Sequence, residues 1–280
     1  MIVDTHVHIW EMPPIAPIGP TAPTFKKLPT EPATAEELIA DMDQNGVNMS
    51  VLVQTSWSTW DNGYLADSAK KYPKRFVTMG MVDPMDKGNA EISRYWMQDR
   101  GCVGFRLHPC YYKEPILTLP QNEAMWKTFV KLGAVIQVQL NVEHAPQVAA
   151  VAKKYPSVKI VLDHMAYPDT KEYPHFTSHQ PIIDLAKHPN VYVKISDLKP
   201  QSKMDYPYTD IQGIIRKLHN AYGINRLMWG TGYPGKHRIK HNWPTLDQEL
   251  RIIREGIDWL SKAEKDRLLG GTAAEVWNLK

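Results

Sequence analysis

Cysteine is nearly absent: Cys102 and Cys110 are the two cysteines among 280 residues. So few thiols do not make a disulfide framework. No stretch approaches the roughly 18 consecutive apolar residues of a membrane span, so no transmembrane helix and no membrane partner are expected. The N-terminal run MIVDTHVHIW lacks a basic region followed by an apolar stretch. It therefore reads as strand rather than signal peptide, and a cytoplasmic protein is expected. No glycine-rich loop follows an apolar run, which weakens a dinucleotide-binding reading. Charge of one sign is also missing: 33 Lys and Arg stand against 30 Asp and Glu, spread along the chain. Nucleic acid is not an expected partner. Phenylalanine is scarce at 5, while Trp numbers 9 and Tyr 13. Rings with a polar edge suit a lined pocket for a small molecule as well as a core.

What is present is a regular alternation. Hydrophobic residues make up 43% of the chain and charged residues 22%, enough for a sizeable core. Short β-branched runs at residues 2–8, 48–54, 76–82, 102–108, 134–141, 158–164, 191–196 and 226–230 are each followed by a helical pattern. The first helix carries its own start signal, since Thr34 and Glu37 have the spacing of a capping box. Eight strand–helix pairs in this length predict an α/β fold, a single-domain (β/α)8 TIM barrel over residues 1–280. Chemistry in such a barrel sits where strands end and loops begin. Two long loops follow strands there. One, residues 11–33, holds seven prolines; the other spans residues 165–179.

Alternate residues of a strand share a face. Asp4, His6 and His8 are thereby expected to point one way and Val3, Thr5 and Val7 the other. Two imidazoles at the end of a first barrel strand can hold one divalent ion through neutral nitrogens. Gly104, Arg106 and His108 share a phase at the end of the fourth strand. An arginine in a barrel mouth needs an anionic partner, either an acid of the protein or a substrate carboxylate or developing oxyanion. His164, in phase with Ile160 and Leu162, is read as interior, a third ligand or a general acid–base. Gln137, Gln139 and Asn141 share a face of strand five and suggest a polar lining.

The ordered motifs DTHVHIW at the start, GFRLHP at 104–109, VLDHM at 161–165, VYVKIS at 191–196, RLMWG at 226–230 and LGGTAAEVW at 269–277 resemble the amidohydrolase superfamily, in the branch called amidohydrolase family 2. The resemblance spans nearly the whole chain. It implies a TIM barrel, a site at the C-terminal strand ends, and often a divalent metal, commonly zinc. His6, His8 and His164 are the metal ligands it implies. The family pattern places an aspartate after strand eight, where this chain has Gly232, and commonly a histidine at the end of strand five, where it reads Gln139-Leu140-Asn141. A metal-independent site, with the histidines acting directly on the carbonyl, is the alternative. After strand seven an aspartate, Asp197, stands where the family usually has glycine. It is a candidate catalytic base for the vacated space. Its phase, shared with Val193 and Ile195, points it instead toward the helices and a capping role. Asp4 and Asp163 read as groups that orient the histidines.

The implied activity is hydrolysis of a small cyclic ester, a sugar-derived or carboxylated lactone, or a similar carbonyl substrate. His6, His8, His164 and Asp197 are the expected catalytic residues. Trp10, Trp57, Arg106, His108 and Tyr233 are the expected substrate contacts. The alternatives are non-oxidative decarboxylation of a small carboxylic acid and a catalytically disabled binding protein.

Overall fold

The computed structural model describes residues 1–11, 29–58, 60–232, 238 and 242–280. Eight parallel strands form one sheet in sequence order: β1 Val3–Val7, β2 Met49–Val53, β3 Phe76–Met81, β4 Gly104–Leu107, β5 Val135–Val138, β6 Lys159–Leu162, β7 Val191–Ile195 and β8 Leu227–Trp229. The sheet curls until its first and last strands meet. Thr5 Oγ1 donates to Trp229 O at 2.6 Å, Gly232 N to His6 O at 2.7 Å, and Thr231 N to Asp4 Oδ1 at 2.9 Å. This is a (β/α)8 barrel with helices between its strands. Both cysteines are free thiols. No helix among the described residues is long and apolar enough to cross a membrane.

The first helix, α1, spans Ala35–Asn45 and begins with the capping box read from the sequence: Thr34 Oγ1 accepts from Glu37 N, and the Glu37 carboxylate accepts from Thr34 N. It ends at Gly46, φ 70°, a left-handed cap. Leu38 and Met42 are its buried face. They belong to a large apolar layer between helices and sheet that also takes Leu52, Phe105, Ile136, Ile160, Leu162, Val193 and Ile195.

A second apolar cluster fills the barrel axis. Val51, Val53, Met79, Val135, Val161 and Met228 meet there, and Ala273, Val276 and Trp277 of the C-terminal helix Thr272–Trp277 close it from below. Strand register then shows which polar residues face the axis. Arg106 pairs with Gln137 and Gln137 with Val161, while Lys194 pairs with Met228. Arg106, Gln137 and Lys194 therefore point inward, one layer above the apolar floor. Gln137 is buried, Gln139 half-buried, and Asn141 exposed with its amide donating to Glu143. Asn141 therefore drops out of the lining expected from three amides, because β5 ends at Val138.

β1 departs from strict alternation. Val3 packs in the axis cluster, but Val7 and Ile9 pack against the helices. The register to β2 shifts between Asp4 and Val7, an irregularity of the bulge type. Asp4 pairs with Ser50, whose hydroxyl turns to Met42 of α1. Asp4 and His6 thus do not share a face, contrary to the simple period-2 expectation.

Candidate functional site

Polar side chains from the ends of four strands, β1, β4, β6 and β7, converge above the apolar floor. Asp163, two residues beyond the axis-facing Val161, is the hub. Its Oδ2 accepts from Arg106 Nε at 2.7 Å, and its Oδ1 forms an ion pair with Lys194 Nζ at 3.2 Å. Oδ1 also stands 3.4 Å from His6 Nδ1. Burial pushes the Asp163 carboxyl up, but Lys194, Arg106 and His6 outweigh it and hold the group well below the usual carboxylate range. Burial brings Lys194 down to about 8, against the pull of Asp163. A carboxylate and two cations with almost no solvent are held by mutual compensation.

His164 reaches this cluster by a different route from the one its phase suggests. Ile160 and Leu162 face the helices, not the axis. A left-handed run at His164, Met165, Ala166 and Tyr167, with φ of 52°, 54°, 56° and 50°, turns the chain so that the imidazole points inward. Arg106 Nη2 donates to His164 Nε2 at 3.3 Å. Guanidinium cannot accept, so Nδ1 carries the proton. It faces Ser196 Oγ at 2.9 Å and Asp197 Oδ2 at 3.4 Å.

His6 and His8 follow the bulge. His6 is fully buried; Lys194 Nζ donates to its Nδ1 at 3.2 Å. In that tautomer Nε2 carries hydrogen, and this atom is buried with no hydrogen-bond partner. His8 Nδ1 lies 2.7 Å from Val53 O. A carbonyl only accepts, so His8 donates from Nδ1 and presents the lone pair of Nε2. The His6 ring centroid stands 5.0 Å from that of His8 and 4.4 Å from that of His164. Burial, then the charge of Lys194 for His6 and of Arg106 for His8, holds both imidazoles neutral; His8 falls to about 3. His108 is buried, stacked on Tyr111, and held neutral by burial and Arg106; its Nε2 has no partner.

His8 supplies a stability prediction. Between its folded value of about 3 and its ordinary value of 6.5, the unfolded chain binds more protons. The contribution of His8 therefore weakens as pH falls through that window, by about 1.4 kcal/mol per pH unit. Relative to His8→Asn, the wild type is expected to lose about 2 kcal/mol between pH 6.5 and 5, read from urea unfolding. Parallel curves for the two proteins would show that the fold does not hold His8 in its neutral form.

Asp4 does not touch an imidazole. It accepts from Thr231 Oγ1 at 2.6 Å, Thr231 N at 2.9 Å and His6 N at 3.1 Å, and so ties β1 to the segment after β8. Burial raises it to about 6, against those hydrogen bonds. Trp10 and Trp57 stand edge to face at 5.1 Å, with Ala33, in a small cluster of their own. They line a cavity of about 470 Å³ with Glu11, Gln54, Ser58 and Tyr64. The described residues around that cavity include none of His6, His8, Arg106, His108 or His164. Tyr233 lies outside the described residues.

Two contributors escaped the sequence reading, Lys194 and Ser196. The signal for Lys194 was available: it alternates with Val193 and Ile195, and a lysine opposite two helix-facing residues must enter the barrel. Ser196, two residues on and in the phase of Lys194, offered the same signal.

One donor of each of His6, Asp163 and His164 lies within 4.8 Å of the others, a group that could hold a metal ion. His8 is outside that close group.

The comparisons with known proteins agree with this architecture. Residues 3–279 match a family model described as Amidohydrolase. The chain is similar to an L-fucono-1,5-lactonase of Burkholderia ambifaria, 26% identical over 99% of this chain and 95% of that one. Among solved structures it resembles a probable 2-pyrone-4,6-dicarboxylic acid hydrolase from Acinetobacter baumannii, with a TM-score of 0.80, 20% identity and 99% of each chain covered. It also resembles a 5-carboxyvanillate decarboxylase from Sphingomonas paucimobilis, with a TM-score of 0.70, 15% identity, and 100% of this chain and 99% of that one covered.

Proposed function

Since the chain belongs to the amidohydrolase family, we propose that it hydrolyses a small lactone, sugar-derived or carboxylated. The observation that carries the reading is the buried Nε2–H of His6, unpartnered and set among neutral imidazoles beside Arg106. A donor fixed in a water-poor site is what a carbonyl oxygen needs as it gains charge. His6 donates to that oxygen, His8 and His164 complete the imidazole wall beside it, and Arg106 orients an oxygen or carboxylate of the substrate. His108 and the loop tryptophans Trp10 and Trp57 are proposed to shape the substrate's surroundings, with Tyr233. The similarity to a lactonase over nearly the full length supports the reaction class.

A divalent ion would call for the other His6 tautomer, with Nδ1–H turned to Asp163 Oδ1 3.4 Å away and the lone pair of the buried, unpartnered Nε2 free to ligate. His6, Asp163 and His164 would hold it, with His8 nearby. When bound it would supply Lewis-acid polarisation of the carbonyl. The chain's own residues still set the terms. Lys194 and Arg106 already neutralise Asp163, so a dication meets two positive charges at its ligands. Zinc binding is therefore expected to be weak. Lys194→Met is expected to tighten it at least tenfold in competition with a chromogenic chelator. Unchanged affinity would place the ion away from His6 and Asp163.

The direct test is a panel of sugar and aromatic lactones, followed by acid release with and without added zinc. Turnover of at least one lactone is expected. Release of carbon dioxide from aromatic carboxylic acids, with every lactone left intact, would replace this reading by decarboxylation.

A further inference from the structure

Asp197 enters the site against the direction of its strand. Val193 and Ile195, four and two residues earlier, pack against the helices. A continued strand would send Asp197 the same way. The chain instead turns left-handed at Asp197, φ 53°, a conformation that Asp adopts more readily than most L residues and that breaks the alternation of the strand. The residue sits at the N-cap position of the helix Leu198–Gln201, yet its side chain makes no capping hydrogen bond. Capping therefore does not explain it. The side chain is 19% exposed. Oδ2 stands 3.4 Å from His164 Nδ1, and Oδ1 is buried with no hydrogen-bond partner.

The space beside Oδ1 is kept by Gly232. A β-carbon on Gly232 would overlap Asp197 Oδ1. The backbone there cannot easily move away, because Gly232 N donates to His6 O at 2.7 Å and φ is 72°. The position thus requires glycine for its dihedral and for the room it leaves. A side chain after β8 and the Asp197 carboxylate exclude each other.

We propose that Asp197 is the carboxylate that takes the proton from the attacking water, and that Gly232 is the clearing that lets it do so. The inference rests on the lactonase reading. The water oxygen forms a bond to the lactone carbonyl carbon while one of its O–H bonds breaks, the proton passing to an Asp197 oxygen. The ring C–O bond then breaks, and the departing alkoxide takes that proton. The product is an open-chain hydroxy acid, and Asp197 returns to its ionised form.

Asp197→Asn keeps the shape and removes the basicity. Its kcat on the best lactone of the panel is expected to fall at least 10²-fold, with KM changed less than threefold. Hydroxylamine attacks through an uncharged nitrogen and needs no prior proton removal. In its presence, hydroxamate formation by Asp197→Asn is expected within tenfold of the wild-type rate, a rescue that a purely structural lesion would not give. Gly232→Ala is expected to displace the carboxylate and reproduce the defect and its rescue, which keeps the test open should Asp197→Asn fold poorly. A kcat for a folded Asp197→Asn within fivefold of wild type, or no rescue by hydroxylamine in either folded variant, would overturn the assignment while leaving the lactonase reading intact. A wild type that opens no lactone would overturn both.

Discussion

Asp163→Asn is expected to lower the unfolding free energy by about 3–5 kcal/mol, because it removes the one charge that compensates two buried cations. Arg106 and Lys194 both pair with this carboxylate at 0% side-chain exposure of Asp163. An amide of the same size keeps the packing and can still accept one hydrogen bond, so the loss is electrostatic. Truncating one cation as well should recover part of it. Asp163→Asn combined with Lys194→Met is expected to be more stable than the sum of the single losses implies, by about 1–3 kcal/mol, since contacting residues couple. Urea unfolding of the four proteins closes the cycle. A single-variant loss under about 1 kcal/mol would mean that the site is wet enough to solvate the two cations.

The second large effect belongs to activity. Arg106→Met is expected to lower kcat/KM for lactone hydrolysis about 10³-fold, roughly 4 kcal/mol of barrier. The guanidinium addresses two partners at once, with Nε on Asp163 at 2.7 Å and Nη2 on His164 at 3.3 Å. It orders the imidazole and, in the proposed reaction, would present positive charge to the substrate. Lysine cannot span both contacts from one nitrogen, so Arg106→Lys is expected to stay within tenfold of Arg106→Met. Recovery to near wild-type rates by lysine would show that only charge matters at this position. Steady-state kinetics of both variants decides it.

Much of this site was legible before the fold. The strand ends named His6, His8, Arg106 and His164, and the barrel brings all four together. Other assignments failed for definite reasons. Strict alternation put Asp4 beside His6, but one irregularity in β1 separated them. It sent Asp197 toward the helices, but a single left-handed residue reversed it. For His164 it gave the right burial by the wrong argument, since the neighbours it was grouped with face the helix layer. Trp10 and Trp57 do line a cavity, one whose described lining includes none of those four strand-end residues, and their contact with substrate stands as a proposal. Lys194 was overlooked although its phase pointed inward.

By itself the sequence determined the repeating strand–helix order, the capped first helix and the identity of the imidazoles at the mouth. These rest on short-range patterns, period-2 apolar alternation and local hydrogen bonds, which each segment carries alone. Only the tertiary structure decided which polar groups meet. Asp163 joins Arg106 across 57 residues and Lys194 across 31, contacts that depend on closure of the barrel and not on any local preference. Nor does a local preference favour the left-handed turns at His164 and Asp197. Those conformations are a minority choice for L residues, Asp and His included, and their contacts with Arg106, Ser196 and His164 form only in the closed barrel.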